Sequence, residues 1–104
     1  LLNRGIQIRA TAGSPVYATL DGTVVYSNWL RGYGNMIILD HGQGLLSVYA
    51  KNETLYQSIH DTVRRGDVIA SVGSSGGEEE PGLYFELRYK DKPQDPMLFI
   101  GRSK

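Results

Sequence analysis

Short apolar stretches of the chain alternate with polar positions and are broken by glycine-containing turns. Ile6 and Ile8 alternate with Gln7 and Arg9, which predicts a short strand with one solvent-facing side. Six further stretches of strand length are SPVYATL, TVVYSNW, NMIILD, GLLSVYA, DVIASVG and LYFELRY. Turn signals at about every eight to twelve residues are typical of an all-β domain.

Two of these turns predict hairpins. The DG dipeptide at 21–22 lies between β-branched runs and favours a tight hairpin turn, because both of its residues accept positive φ. The GQG turn at 42–44 separates NMIILD from GLLSVYA and predicts a second hairpin. We therefore expect an antiparallel β sandwich or partly open barrel.

Length and charge restrict the possible functions. The 104 residues are enough for one domain, and the chain opens without methionine, so we expect residues 1–104 to be a single domain from a longer protein. Lysine plus arginine and aspartate plus glutamate number 11 each, which gives no electrostatic reason to expect nucleic acid or an acidic membrane surface as partner. No apolar run approaches the roughly 20 residues of a transmembrane helix. The absence of cysteine excludes thiolate metal ligands and a cysteine nucleophile.

The residues that could carry catalysis are few and badly spaced. His41 and His60 have no nearby histidine or aspartate at metal-binding spacing, and a catalytic zinc needs three protein ligands. We interpret His41 as a turn histidine that hydrogen-bonds backbone, and His60 as a loop histidine. The three consecutive glutamates at 78–80 point in different directions and cannot converge on one cation. The serines of GSSGG lack the frame of a nucleophile elbow.

The stretch LYFELRY carries an alternating pattern of a different kind. Tyr84, Glu86 and Arg88 share one face of this predicted strand, while Phe85 and Leu87 share the other and are expected in the core. Tyrosine and arginine on an outward face match the composition of protein-binding surfaces. The alternative is that the tyrosines only cover a sheet edge.

The order of the glycine-bearing blocks resembles a known family. The blocks RGIQIRATAGSPVYATLDGTVVYSNWLRGYGNMIILDHGQGLLSVYA, RRGDVIASVGSSGG and GLYFELR resemble the LytM or lysostaphin-type peptidase domain over nearly the whole chain. The resemblance implies an antiparallel fold of the LytM (duplicated hybrid motif) type with an open groove. Active members of that family are zinc endopeptidases that cut peptidoglycan cross-links.

This chain departs from the family at the zinc and catalytic positions. The motif His-x-Gly-x-Asp is NRGIQ at 3–7, and the motif His-Leu-His-Phe-Glu is GLYFE at 82–86, while a lysine stands where the catalytic histidine normally follows Tyr-Ala. Amides, glycine and tyrosine are poor ligands for zinc. The vestigial positions are therefore Asn3, Gln7, Lys51, Gly82 and Tyr84. We expect no metal, no other cofactor and no catalytic residue.

SSGG followed by LYFELR is similar to the EnvC-type murein hydrolase activators. That resemblance implies a periplasmic regulator that binds the inhibitory helix of an N-acetylmuramoyl-L-alanine amidase in the former peptidase groove and permits cell-wall cleavage at division. The groove positions carried over from the family are Arg4, Gln7, Tyr33, Tyr49, Tyr84 and Arg88. No nucleic acid partner and no membrane contact by this domain are expected.

Two alternative hypotheses remain open at this point. The domain could bind peptidoglycan through the same groove without activating an amidase. It could also be an active zinc endopeptidase with an unforeseen ligand set, such as His41 with Glu86 or Asp40.

Overall fold

The chain folds entirely into β-structure in the part that the structure describes. This computed structural model describes residues 5–73 and 80–95, which form nine strands and no α-helix. The strands are β1 (Ile6–Arg9), β2 (Pro15–Tyr17), β3 (Gly22–Leu30), β4 (Gly34–Asp40), β5 (Leu45–Leu55), β6 (Thr62–Val63), β7 (Val68–Val72), β8 (Gly82–Tyr89) and β9 (Lys92–Gln94). Asn3, Arg4, the serines of GSSGG and two of the three glutamates at 78–80 lie outside the described residues.

All nine strands belong to one antiparallel sheet. Its main path has the order β1-β8-β5-β4-β3-β6, while β7 pairs with both β5 and β2, and β9 pairs with β8. The sheet is not closed. Within the described residues, β1 pairs with β8 and β2 pairs with β7, but β1 and β2 do not pair with each other. The prediction of an all-β, antiparallel, partly open architecture is confirmed.

One of the two predicted hairpins forms and the other does not. β4 and β5 pair across the turn at 42–44, where all three residues have positive φ. The hairpin prediction at 21–22 is wrong, because β2 pairs with β7 and β3 pairs with β4 and β6. The backbone of Ala18 bonds Asp67 and Gly66 instead, which holds the end of β2 against the turn before β7.

Buried side chains form two clusters on opposite faces of the sheet. The larger cluster contains Val16, Ala18, Val24, Ile37, Leu39, Tyr49, Val63, Ile69, Ala70, Val72, Phe85 and Leu87. The smaller cluster contains Met36, Val48, Ala50 and Tyr84. Neighbouring residues of β5 and of β8 fall into different clusters because side chains alternate along a strand. The predicted core positions of Phe85 and Leu87 are confirmed.

Candidate functional site

The second face of the sheet carries a groove above the smaller cluster. Its concave volume of about 240 Å³ is lined by Leu30, Tyr33, Met36, Ile38, Leu46, Val48, Glu86 and Arg88, and we call this set the groove. The register brings the wall together, because Val48 pairs with Glu86 and Leu46 pairs with Arg88 across β5 and β8. Most of the lining is aliphatic, and its two charged side chains lie side by side on β8.

Glu86 is a buried carboxylate in the wall of the groove. Its side chain is 1% exposed, and each of its oxygens accepts a hydrogen bond. The Tyr84 hydroxyl donates to Oε2 at 2.6 Å, and the Arg88 guanidinium donates through Nε to Oε1 at 2.9 Å. Removing an ion from water costs several kcal/mol, so a carboxylate is stable here only because both donors are present.

Tyr84 lies on the predicted face but is buried rather than exposed. Only 2% of this residue is accessible, and its ring packs against Tyr33 with 5.9 Å between the ring centroids. Burial of the phenol raises the pKa of Tyr84 far above its ordinary value, and the hydrogen bond to Glu86 raises it further. The hydroxyl therefore stays protonated and donates a hydrogen bond to Glu86. Tyr84 contributes to the wall of the groove and does not form the outward contact surface expected from the sequence.

Tyr49 does not belong to the groove. It pairs with Phe85 across β5 and β8, and the two rings pack in the larger core at a centroid distance of 5.4 Å. Its hydroxyl hydrogen-bonds Thr19 and Ser47, and burial raises the pKa of Tyr49. Tyr49 was predicted as a groove position, but Val48 next to it on β5 lines the groove, so Tyr49 faces the opposite side of the sheet.

Within the described residues, the remaining predicted positions are Gln7, Lys51 and Gly82. Gln7 pairs with Tyr84 in the β1–β8 register, so the exposed Gln7 side chain lies on the groove side of the sheet. Lys51 is buried with a positive φ of 65°, and its backbone N–H donates to the Tyr33 carbonyl at 2.8 Å. Gly82 is so close to β1 that an added Cβ would meet the Ile8 carbonyl oxygen at 2.7 Å.

Sequence reasoning missed the aliphatic part of the groove. Leu30, Met36, Ile38, Leu46 and Val48 line it, yet none of them was predicted to do so. The signal was present in the alternation of β4 and β5, because NMIILD is apolar on both faces while only one face can pack against the larger core.

Two residues that the family resemblance places at zinc positions, Gly82 and Tyr84, do not fit a zinc ion. The Tyr84 phenol is committed to Glu86, and Gly82 has neither a ligand atom nor room for a side chain without a backbone shift. His41 bonds the Asp21 carbonyl through Nδ1 at 2.7 Å and the Ser47 hydroxyl through Nε2 at 2.6 Å. Across residues 5–73 and 80–95, no three side chains of histidine, aspartate or glutamate form a group that could hold a metal ion.

Comparison with known proteins assigns the family. The sequence profile of peptidase family M23 matches residues 2–96. The chain belongs to peptidase family M23. This M23 domain is similar to murein hydrolase activator EnvC of Escherichia coli (strain K12), at 41% identity over 99 residues that make up 95% of this chain and 24% of the relative. It is also similar to murein hydrolase activator NlpD of Salmonella dublin, at 43% identity over 94% of this chain and 26% of that protein.

Solved structures give the same assignment for the fold of the M23 domain. A putative peptidase M23 from Pseudomonas aeruginosa matches with a TM-score of 0.92 and 27% identity, over 100% of this chain and 46% of the other. The catalytic domain of lysostaphin from Staphylococcus simulans matches with a TM-score of 0.88 and 29% identity, over 94% of this chain and 78% of that domain. In the described part of the M23 domain, the structure contains no helix with the length and apolar character that a bilayer crossing requires.

Proposed function

We propose that this M23 domain is a non-catalytic activator of periplasmic N-acetylmuramoyl-L-alanine amidases, and that its groove binds the regulatory helix of the amidase. Relatives of the domain carry the name murein hydrolase activator, and another relative, DipM of Caulobacter vibrioides, is named a cell division protein. The observation that carries the proposal is the aliphatic groove beside former zinc positions that offer no ligand set. The proposed process is cell-wall cleavage during division.

The chemistry of the groove favours an amphipathic helix as its occupant. Leu30, Met36, Ile38, Leu46 and Val48 present aliphatic surface that gains free energy when it is covered, at roughly 25 cal/mol per Å². An amphipathic helix laid in an apolar groove offers side chains at helical spacing for such a surface. If the groove captures the helix that blocks the amidase active site, the amidase equilibrium shifts toward its open form.

An activation assay tests the proposal directly. The purified chain is mixed with each N-acetylmuramoyl-L-alanine amidase of the source organism and with dye-labelled peptidoglycan. We expect the domain to release no dye by itself and to accelerate release by at least one of the amidases. Failure to accelerate any of them, with sacculi binding intact, would favour the peptidoglycan-binding alternative.

A pair of matched variants connects activation to the groove. Leu30→Ala removes aliphatic surface from the groove rim, and Ile59→Ala removes a comparable exposed side chain outside it. We expect Leu30→Ala to weaken amidase binding by about 1–2 kcal/mol, which is roughly 5- to 30-fold. Ile59→Ala should bind as the unaltered chain does. Equal effects of the two variants would argue against the groove as the contact.

Metal analysis separates the activator from the endopeptidase alternative. The domain purified from zinc-supplemented medium should hold far less than one zinc per chain, because Tyr84 and Gly82 supply no free ligand atom at the former site. Stoichiometric zinc together with chelator-sensitive cleavage of peptidoglycan cross-links would overturn the non-catalytic assignment.

A further inference from the structure

Three residues spaced two apart on β8 form a continuous hydrogen-bonded chain along the groove wall. Tyr84 donates to Glu86, and Arg88 donates to the other oxygen of the same carboxylate. The inner two members are almost completely buried, whereas the Arg88 side chain remains 25% exposed at the groove. Arg88 is therefore the member most accessible to a ligand.

The geometry of Arg88 determines what it offers to that ligand. Within residues 5–73 and 80–95, its guanidinium makes one hydrogen bond, through Nε, to Glu86. The guanidinium is planar, so the hydrogen bond at Nε also restricts the orientation of the two terminal NH2 groups. These two groups retain donors suited to a bidentate contact with a carboxylate. A fork that is already oriented loses less side-chain entropy when the ligand binds.

The same hydrogen bonds leave no acidic group of the wall free to bind a cationic ligand. Both oxygens of Glu86 already accept hydrogen bonds, and its carboxylate is out of contact with solvent. The other groove residues are uncharged, so the charge that a ligand meets in this wall is that of Arg88. A carboxylate next to apolar side chains is the ligand chemistry that matches.

We propose that Tyr84 and Glu86 are positioning residues that hold Arg88 in place, and that Arg88 makes the groove selective for an acidic side chain on an apolar protein segment. This inference rests on the proposed function, in which that segment is the regulatory helix of the amidase. Stem peptides of peptidoglycan also carry carboxylates. The aliphatic lining favours the protein segment, because it provides few hydrogen-bonding groups for a sugar or an extended peptide backbone.

Binding measurements on conservative variants test the chain of contacts. The amidase that responds in the activation assay is titrated calorimetrically with the unaltered domain and with its Arg88→Lys, Glu86→Gln and Tyr84→Phe variants. Arg88→Lys keeps the charge but loses the fork, and we expect binding about 10-fold weaker or worse. Glu86→Gln and Tyr84→Phe should weaken binding by about 3- to 10-fold, because Arg88 then has to be ordered by the ligand. Arg64→Lys and Tyr56→Phe, which lie outside the groove, serve as matched controls.

Two further readouts separate positioning from general damage to the fold. In the Arg88→Lys background, Tyr84→Phe should cause no additional loss of binding, since the residue through which it acts is absent. In nitrogen-15 NMR spectra, the Arg88 Nε–H signal should be protected from exchange in the unaltered domain and lose that protection in Glu86→Gln. Circular dichroism of every variant confirms that the sheet is retained.

Substitutions on the amidase identify the source of the carboxylate. Each acidic residue of the regulatory helix is replaced by its amide, and one replacement should remove the difference in binding between the unaltered domain and its Arg88→Lys variant. If Tyr84→Phe and Glu86→Gln bind as the unaltered domain does, the positioning role is wrong while the proposed function stands. If Arg88→Lys lowers binding to sacculi and leaves amidase binding unchanged, the selectivity for a protein carboxylate is wrong. If the unaltered domain binds no amidase, the proposed function itself fails.

Discussion

Replacing Tyr49 by phenylalanine should destabilise the domain without affecting its groove. The Tyr49 residue is 1% exposed, and its hydroxyl oxygen lies 3.1 Å from the Thr19 amide, 2.8 Å from the Thr19 hydroxyl and 2.8 Å from the Ser47 hydroxyl. Phenylalanine keeps the ring packing against Phe85 but leaves these partners short of one contact each. Because Ser47 retains His41 as a partner, we expect a cost at the ordinary value for buried polar groups, about 1–3 kcal/mol.

Urea unfolding followed by circular dichroism measures this cost. For a domain of this size, each kcal/mol corresponds to a decrease in Tm of about 4–8 °C, so thermal unfolding gives a second estimate. Tyr56→Phe is the control, because Tyr56 is 56% exposed and should change the free energy of unfolding by less than about 0.5 kcal/mol. Amidase activation by Tyr49→Phe should be normal at temperatures where the variant is folded. Two results would refute the assignment of Tyr49 to the core. One is a free energy of unfolding equal to that of the unaltered domain, and the other is a folded variant that fails to activate the amidase.

Further predictions concern alkaline pH and the β1 backbone. Burial raises the pKa of both Tyr49 and Tyr84, so above the ordinary tyrosine pKa of about 10 the native state retains protons that the unfolded chain releases. The free energy of unfolding should therefore fall as pH rises beyond that value, by at most about 1.4 kcal/mol per pH unit for each tyrosine, and the double phenylalanine variant should lose this dependence in urea titrations. Gly5→Ala should destabilise by about 1–3 kcal/mol in the same assay, because its Cβ would meet Glu86 Cγ at 2.7 Å and Tyr84 Cζ at 2.9 Å. An unchanged stability would show that β1 can move away from β8.

Most of the fold could be predicted because it depends on local patterns. The GQG turn specifies its own hairpin through positive φ at 42–44, and the alternation in LYFELRY correctly assigns Phe85 and Leu87 to the core. The turn at 21–22 was misjudged because its outcome depends on distant residues. The Asp21 carboxylate accepts a hydrogen bond from the Arg65 amide, a contact across 44 positions that no local pattern contains.

The groove could be predicted only in part, for a reason of geometry. Family resemblance locates positions along the chain, whereas the period of two along a strand decides which face a side chain takes. Tyr33 and Arg88 line the groove, while Tyr49 faces the opposite side although it lies between two residues of the groove face. The burial of Tyr84 could not be predicted from the local sequence either, since it depends on the Tyr33 ring and on the close approach of Gly5.

The position of Tyr33 depends in turn on an irregularity in β5. The register between β4 and β5 shifts between Asn35 and Ile37, and within this bulge Lys51 adopts the left-handed conformation that a side chain disfavours by about 1–2 kcal/mol. The bulge directs the Lys51 amide to the Tyr33 carbonyl, which fixes the loop that carries the Tyr33 ring over Tyr84. Bulges often redirect side chains next to functional sites. The backbone of Lys51 thus contributes to the shape of the groove by holding Tyr33 in its wall.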